Sequence, residues 1–277
     1  MFASFNTNYE DSDFVLLGIP FDKTSSFRSG TAGAPKKIRE LSYCFEPYMM
    51  EYDISLSDLK LHDHGNLKDI EDVEEMGDKV SEIIKKIIID EKFPIILGGE
   101  HSISPFTVSA FDKIFDKINV VVLDAHLDYR DEYEGDKRSH ATVVKRIEEL
   151  ENVENILIYG VRSMAEESKD LKKPEYYRPD ELDIVLERTE KITENPTYLS
   201  IDIDVLDPSF APGVGNPEPY GIKPKDVKKI IGPLSKNLVG LDIVETNPKY
   251  DSSDITSNLA ARFVYDTLGS INQNKRK

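Results

Sequence analysis

The sequence contains a single cysteine, Cys44, so no disulfide can form within the chain. That agrees with a reducing compartment. No apolar run approaches the roughly 18 residues that a membrane helix needs. The opening stretch, MFASFNTNYEDSDF, has neither the basic nor the apolar region of a secretory signal. The expected location is the cytoplasm, with no membrane partner. Basic side chains are in the minority: 35 Lys and Arg stand against 52 Asp and Glu, a net charge of −17. Phosphate binding needs clustered Lys and Arg, so nucleic acid is not expected as a partner. A negative field instead raises the local concentration of cations. Internal repeats and low-complexity linkers are also missing. One domain over residues 1–277 is the simplest organisation, with a core at about 14–268 and a flexible end in NQNKRK.

Six short apolar runs stand out, at residues 14–21, 93–99, 119–125, 155–160, 197–204 and 237–245. Most are continuously apolar, the pattern of strands buried on both faces of a parallel sheet. Helix-like segments lie between them, at 34–43, 70–92, 104–117, 140–150, 224–234 and 254–271. In the longest, Val73, Met76, Val80, Ile83, Ile84, Ile87 and Ile88 recur at helical spacing. Alternating strands and helices predict a layered α/β fold. In open parallel sheets the functional groups gather at the carboxyl ends of the strands.

Four of the six runs end in acids or imidazoles. PIILGG leads into Glu100, His101 and Ser102. VVVL leads into Asp124, His126 and Asp128, YLSI into Asp202 and Asp204, and GLDIV into Glu245. Alternate residues of an extended strand point to one face, so Asp124, His126 and Asp128 can converge, as can Asp202 and Asp204. Four aspartates crowded together must either protonate or be neutralised by cations. Two divalent metals would balance them, with His101 and His126 as neutral ligands. Such an oxygen-rich site with some imidazole and no thiolate suits Mn²⁺ or an ion like Mg²⁺. The remaining pair, His62 and His64 in LHDHGNL, has no carboxylate-rich strand end beside it. Both are expected in a loop, outside the ligand set.

The segments GGEHS, DAHLDYRDEYEG, SIDIDVLDPSFAPG and GLDIVETNPKYD resemble the ureohydrolases, the arginase and agmatinase family. The opening GIPFDKTSSFRSGTAGAPKKIRE is similar to that family's N-terminal motif, and the resemblance runs over about residues 14–268. It implies a single-domain three-layer α/β/α sandwich around a mainly parallel sheet, and two Mn²⁺ ions per subunit. By motif, His101 and Asp128 would bind one metal and His126 and Asp204 the other, with Asp124 and Asp202 bridging. The implied reaction is attack of a metal-bridging hydroxide, oriented by Asp128, on a guanidinium carbon. Glu245 would hold the guanidinium, and His140 would shuttle protons. His140 lies in RSHATVV, where many members of the family have His followed by Gly. The family also implies a homo-oligomer, a trimer or hexamer.

The loop at 129–139, YRDEYEGDKRS, lacks the Asn-rich and Ser-rich arginase pattern and resembles the agmatinase pattern. Its Asp131, Glu132 and Glu134 would repel a substrate α-carboxylate and welcome a distal ammonium. Arg130, Lys137 and Arg138 work against that argument, since any of them could pair with a substrate acid. The expected substrate is a small cationic guanidine, agmatine first, giving putrescine and urea. Arginine, guanidinobutyrate or a formimino compound are alternatives within the family. Outside it stand a deacetylase-like amidohydrolase, which usually binds one zinc, and a non-catalytic metal-stabilised scaffold.

Overall fold

The computed structural model describes the chain apart from residues 4, 6, 113, 170, 172 and 277 and the side chain of residue 169. The strands are β1 (Phe14–Ile19), β2 (Tyr48–Met49), β3 (Ile54–Ser55), β4 (Leu61–Asn66), β5 (Phe93–Gly98), β6 (Ile118–Leu123), β7 (Val153–Tyr159), β8 (Glu175–Tyr177), β9 (Thr197–Asp202) and β10 (Leu238–Val244). The helices are α1 (Ala34–Leu41), α2 (Val73–Ile89), α3 (Ser104–Ser109), α4 (Val143–Glu148), α5 (Leu182–Ile192), α6 (Pro224–Leu234) and α7 (Ile255–Lys275). Eight strands form one parallel sheet in the order β4-β1-β5-β10-β9-β6-β7-β8, and β2 and β3 form a small hairpin. Among the described residues no helix is long and apolar enough to cross a membrane.

Both faces of the sheet are buried. On one, Leu16, Leu97, Val121, Leu199 and Ile243 pack with Ile38 of α1, Val185 of α5, Ile230 of α6 and Phe263 of α7. On the other, Val15, Ile96, Val120 and Tyr198 pack with Val80 and Ile84 of α2, Val108 of α3 and Val144 of α4. This is the expected three-layer sandwich. Fully burying an aliphatic side chain contributes about 1.5–3 kcal/mol before the entropy of ordering it, so these two clusters hold the sheet between its helices.

The six apolar runs form strands. The differences fall where burial is one-sided. LHDHGN is strand β4 and not a loop. It pairs only with β1 at the sheet edge, which leaves alternate side chains toward water. The rings of His62 and His64 sit 5.8 Å apart there, and His62 Nδ1 lies 3.0 Å from the Thr7 carbonyl. Helix α2 begins at Val73 and not at residue 70, because the Asp72 side chain accepts the Glu75 N–H at 2.8 Å and caps it. The segments expected as helices at 104–117 and 140–150 are short helices, α3 and α4, each preceded by a 3-10 turn. Helix α5 and strand β8 have no counterpart in the sequence reading. Of the stretch NQNKRK, the first four residues continue α7 to Lys275, and Asn274 donates to Ser235 Oγ at 2.8 Å.

Candidate metal centre

Four strands that are neighbours in the middle of the sheet, β5, β10, β9 and β6, carry the acids and imidazoles at their carboxyl ends. Gly98 ends β5, and Gly99 leads to Glu100 and His101. A Cβ on Gly99 would lie 1.9 Å from the Phe21 carbonyl oxygen, so only glycine lets the two loops approach this closely. Beyond β6, Asp128 holds a left-handed backbone (φ 44°), and beyond β10, so does Glu245 (φ 62°). For side chains other than glycine this conformation costs about 1–2 kcal/mol. Backbone bonds hold both: Val144 N–H donates to the Asp128 carbonyl at 3.0 Å, and Glu245 N–H to the Gly99 carbonyl at 2.8 Å.

His101 Nδ1 lies 3.1 Å from Asp124 Oδ2, 3.3 Å from Asp202 Oδ2 and 3.4 Å from Asp128 Oδ2. His126 Nδ1 lies 3.0 Å from Asp204 Oδ2 and 3.5 Å from Asp124 Oδ1. Two groups with metal-binding geometry result: His101, Asp124 and Asp202, then Asp124, His126 and Asp204. Asp124 is shared by both, Asp202 belongs to the first, and Asp128 borders the first through His101. His62 and His64 do not line the cavity.

The hydrogen bonds show what these atoms suit. Ser200 Oγ donates its one proton to Asp242 Oδ1 at 2.6 Å, so it must accept from His101 Nε2, 3.1 Å away. The Nδ1 of a neutral ring therefore turns a lone pair to the acids. His101 Nδ1 and Asp124 Oδ2 are buried, close, and make no hydrogen bond to any group. Two orphaned acceptors facing one point fit a cation between them. On the far side of His126, Nε2 meets the Asn216 side-chain amide at 3.0 Å and Glu218 Oε1 at 3.6 Å.

The electrostatics express the same crowding. Burial and the charge of Asp124 push the Asp128 carboxyl up, and burial with Asp204 and Asp124 pushes Asp202 well up. Burial opposes charge on both imidazoles, yet the surrounding aspartates hold His101 and His126 well above the ordinary histidine range. Withdrawal from water and the charge of Glu100 raise Glu245.

His101, His126, Asp128, Asp202 and Asp204 line a cavity of about 250 Å³, together with Glu245, His140 and Tyr133. The His140 ring stands edge-on to Tyr133, with centroids 5.7 Å apart, and its Nε2 lies 3.2 Å from Ser26 Oγ. From the 129–139 loop, Tyr129, Arg130 and Tyr133 face the cavity. Asp131, Glu132 and Glu134 do not, and Asp131 pairs with Lys137 and Arg146. Arg130 pairs with Glu167 and Arg138 with Glu74. Of the charged residues in this loop only Arg130 lines the cavity, so the placement of Asp131, Glu132 and Glu134 does not support the argument from loop charge.

A family model described as "Arginase family" matches residues 12–269. The chain belongs to the arginase family. It is 35% identical over 275 residues to the agmatinase of Bacillus cereus, covering 97% of this chain and 95% of that relative. It is 34% identical over 272 residues to the N(1)-aminopropylagmatine ureohydrolase of Thermococcus kodakarensis, covering 95% and 92%. Among solved structures, the agmatine ureohydrolase of Thermoplasma volcanium superposes with a TM-score of 0.93 at 35% identity, over 99% of this chain and 94% of that one. The arginase family is metal-dependent, in keeping with the paired acid and imidazole groups.

Sequence reasoning gave no role to several residues packed around this cavity. Arg162 follows β7 and donates to the carbonyls of Gly160, Asp204, Val205, Leu206, Glu218 and Pro219. A lone cation just after an apolar strand was the available signal. Asn216 and Glu218 sit in a loop without pattern. Glu100 was visible in EHS, and Thr24 and Ser26 in the N-terminal motif, but their partners lie far along the chain.

Proposed function

We propose that the protein hydrolyses agmatine to putrescine and urea with two Mn²⁺ ions held by His101, Asp124, His126, Asp128, Asp202 and Asp204. The observation that carries this reading is that His101, His126, Asp128, Asp202 and Asp204 line one cavity with Glu245 and His140, while buried Asp124 joins both metal-binding groups behind them. When bound, a metal pair lowers the pKa of water so that a nucleophile is available near neutral pH. The chain's own groups do the rest. Glu245 sets a carboxylate against the guanidinium and fixes the direction of its carbon. Asp128 accepts a proton from the attacking water and aligns it. His140, which lines the cavity, carries a proton to the departing amine. The guanidinium C–N bond breaks, the amine leaves protonated, and urea remains.

The names of the relatives favour agmatine over arginine. The loop at 129–139 agrees in pattern, though its acids do not line the cavity. The reading includes a single catalytic domain, a cytoplasmic enzyme of polyamine formation and a homo-oligomeric assembly, trimer or hexamer, which sedimentation would measure. Urea release by the Mn²⁺-loaded protein tests it, with agmatine and arginine side by side. Turnover of agmatine well above arginine is expected. Release mainly from arginine would overturn the substrate, and release from neither would overturn the reaction.

A further inference from the structure

We infer that Glu100, acting through Thr24, is a positioning residue for His140, and that this hold governs turnover more than substrate or metal binding. The inference rests on the proposed role of His140 in proton transfer.

Glu100 is fully buried at the end of β5, and among the described residues no Lys or Arg lies within ion-pair distance of it. Its carboxylate is held by neutral donors instead. Thr24 N–H points at both oxygens, at 3.0 and 2.9 Å. Thr24 Oγ1 donates to Oε1 at 2.9 Å, Ser102 Oγ to Oε1 at 2.9 Å and Ser25 Oγ to Oε2 at 3.0 Å. A carboxylate only accepts, so the Thr24 and Ser102 hydroxyls donate toward it, while the one proton of Ser25 Oγ is shared with Asp22 Oδ1, 2.5 Å away. An amide in its place would turn donors onto donors.

That constraint passes on to His140. With its one proton committed to Glu100, Thr24 Oγ1 can only accept on its other side. There it takes the His140 backbone N–H at 3.0 Å, and imidazole Nδ1 lies 3.5 Å from the same oxygen. Ser139 Oγ, 3.2 Å from Nδ1, has a free lone pair and can accept from the same nitrogen. The arrangement favours the ring with its proton on Nδ1. Nε2, beside Ser26 Oγ at 3.2 Å, is then the nitrogen that takes up and releases protons. Thr24 and Ser26 touch opposite nitrogens of one ring, and the loop that carries both is tied to the sheet through Glu100. A base displaced by a fraction of an ångström loses rate without losing substrate affinity.

Thr24→Val removes the hydroxyl and keeps the backbone N–H bonds to Glu100. Its kcat with agmatine is expected to fall about 10-fold or more, within the range that positioned acid–base groups supply. KM, metal content by elemental analysis and melting temperature are expected to stay near wild type. The pH profile of kcat should change on the limb that His140→Ala abolishes, and Thr24→Ser should recover most of the rate. Glu100→Gln should lower kcat similarly, and the double variant should be no slower than the slower single one, because both substitutions cut one connection. Wild-type kcat in Thr24→Val, a parallel loss of metal, or multiplying losses in the double variant would overturn the inference. Undiminished turnover by His140→Ala would instead overturn the role of His140 itself.

Discussion

The carboxylate of Glu245 accepts the backbone N–H of His101 through Oε1 at 2.8 Å. One oxygen is thereby tied to the loop that carries an imidazole of the metal centre, and the acid is held in fixed relation to it. The left-handed backbone at Glu245 is what turns the side chain back over that loop.

Glu245→Gln should therefore cost substrate more than metal. Losing the charge opposite a buried guanidinium is worth several kcal/mol, so kcat/KM for agmatine should drop by about 10²-fold or more. Steady-state kinetics with parallel elemental analysis checks this, and two metals per chain should remain. Loss of metal along with rate would mean that Glu245 serves the ligands and not the substrate.

Metal removal should destabilise the fold. The aspartates around His101 and His126 are held apart only by cations or by protons, and a ligand that binds only the folded state adds about 2.7 kcal/mol at 100 times its Kd. Calorimetry on the chelated protein should show a lower melting temperature that rises with added Mn²⁺. His126→Asn should leave the first group of ligands, so one ion should still bind. A melting temperature indifferent to metal would count against a cation at this site.

Arg162→Lys should be far from conservative. The guanidinium reaches six backbone carbonyls from three segments, with the shortest bonds, 2.8 Å, to Asp204 and Glu218. One ammonium cannot replace that fork, and carbonyls left without donors cost on the order of 1–3 kcal/mol each. A fall in the denaturation midpoint is expected, and weaker binding of the second metal with it, since Asp204 is among the tethered residues. Midpoints equal to wild type would show that water satisfies these carbonyls.

Asp63 should impose an acid limit on stability. Burial works against its ionisation, but the two-pronged bonds from Arg39 (2.9 Å from Nη2), the charge of Arg39 and the N–H groups of Gly65 and Phe2 outweigh it and hold the carboxyl below its ordinary value. A folded-state pKa below the unfolded one contributes stability above the unfolded value, near 3.9 for aspartate, and that contribution is lost as pH falls through the folded value. Asp63→Asn should therefore be less stable than wild type at pH 6, with the gap closing toward strong acid. A gap independent of pH in denaturant titrations would assign the loss to packing.

Much of this was legible from residue patterns, for physical reasons that differ from place to place. The strands β1, β5, β6, β9 and β10 are buried on both faces, so Leu16, Ile96, Val121, Leu199 and Ile243 stand in mostly apolar runs, broken only at a few places such as Ser200 and Asp242. Edge strand β4 has only one neighbour and reads as a polar loop. In α5, Val185, Thr189 and Ile192 alone are buried, too sparse a stripe to stand out among its charges. The acids of the 129–139 loop show the limit of reading charge without partners. Asp131 looks free in the sequence and is paired in the fold.

The sequence by itself determined which groups stand just beyond the strand ends, because a run of apolar residues sets where a strand stops. The two-residue period expected to align Asp124, His126 and Asp128 does not apply, since β6 ends at Leu123 and Asp128 is left-handed (φ 44°). Nor did the sequence determine which strand ends meet. Strand order is decided by how the crossover helices pack on the sheet, and no local period encodes that. Only the order β5-β10-β9-β6 brings His101, Glu245, Asp202 and Asp124 to one place. The same holds for the contacts of Thr24, which joins Glu100 across 76 positions and His140 across 116.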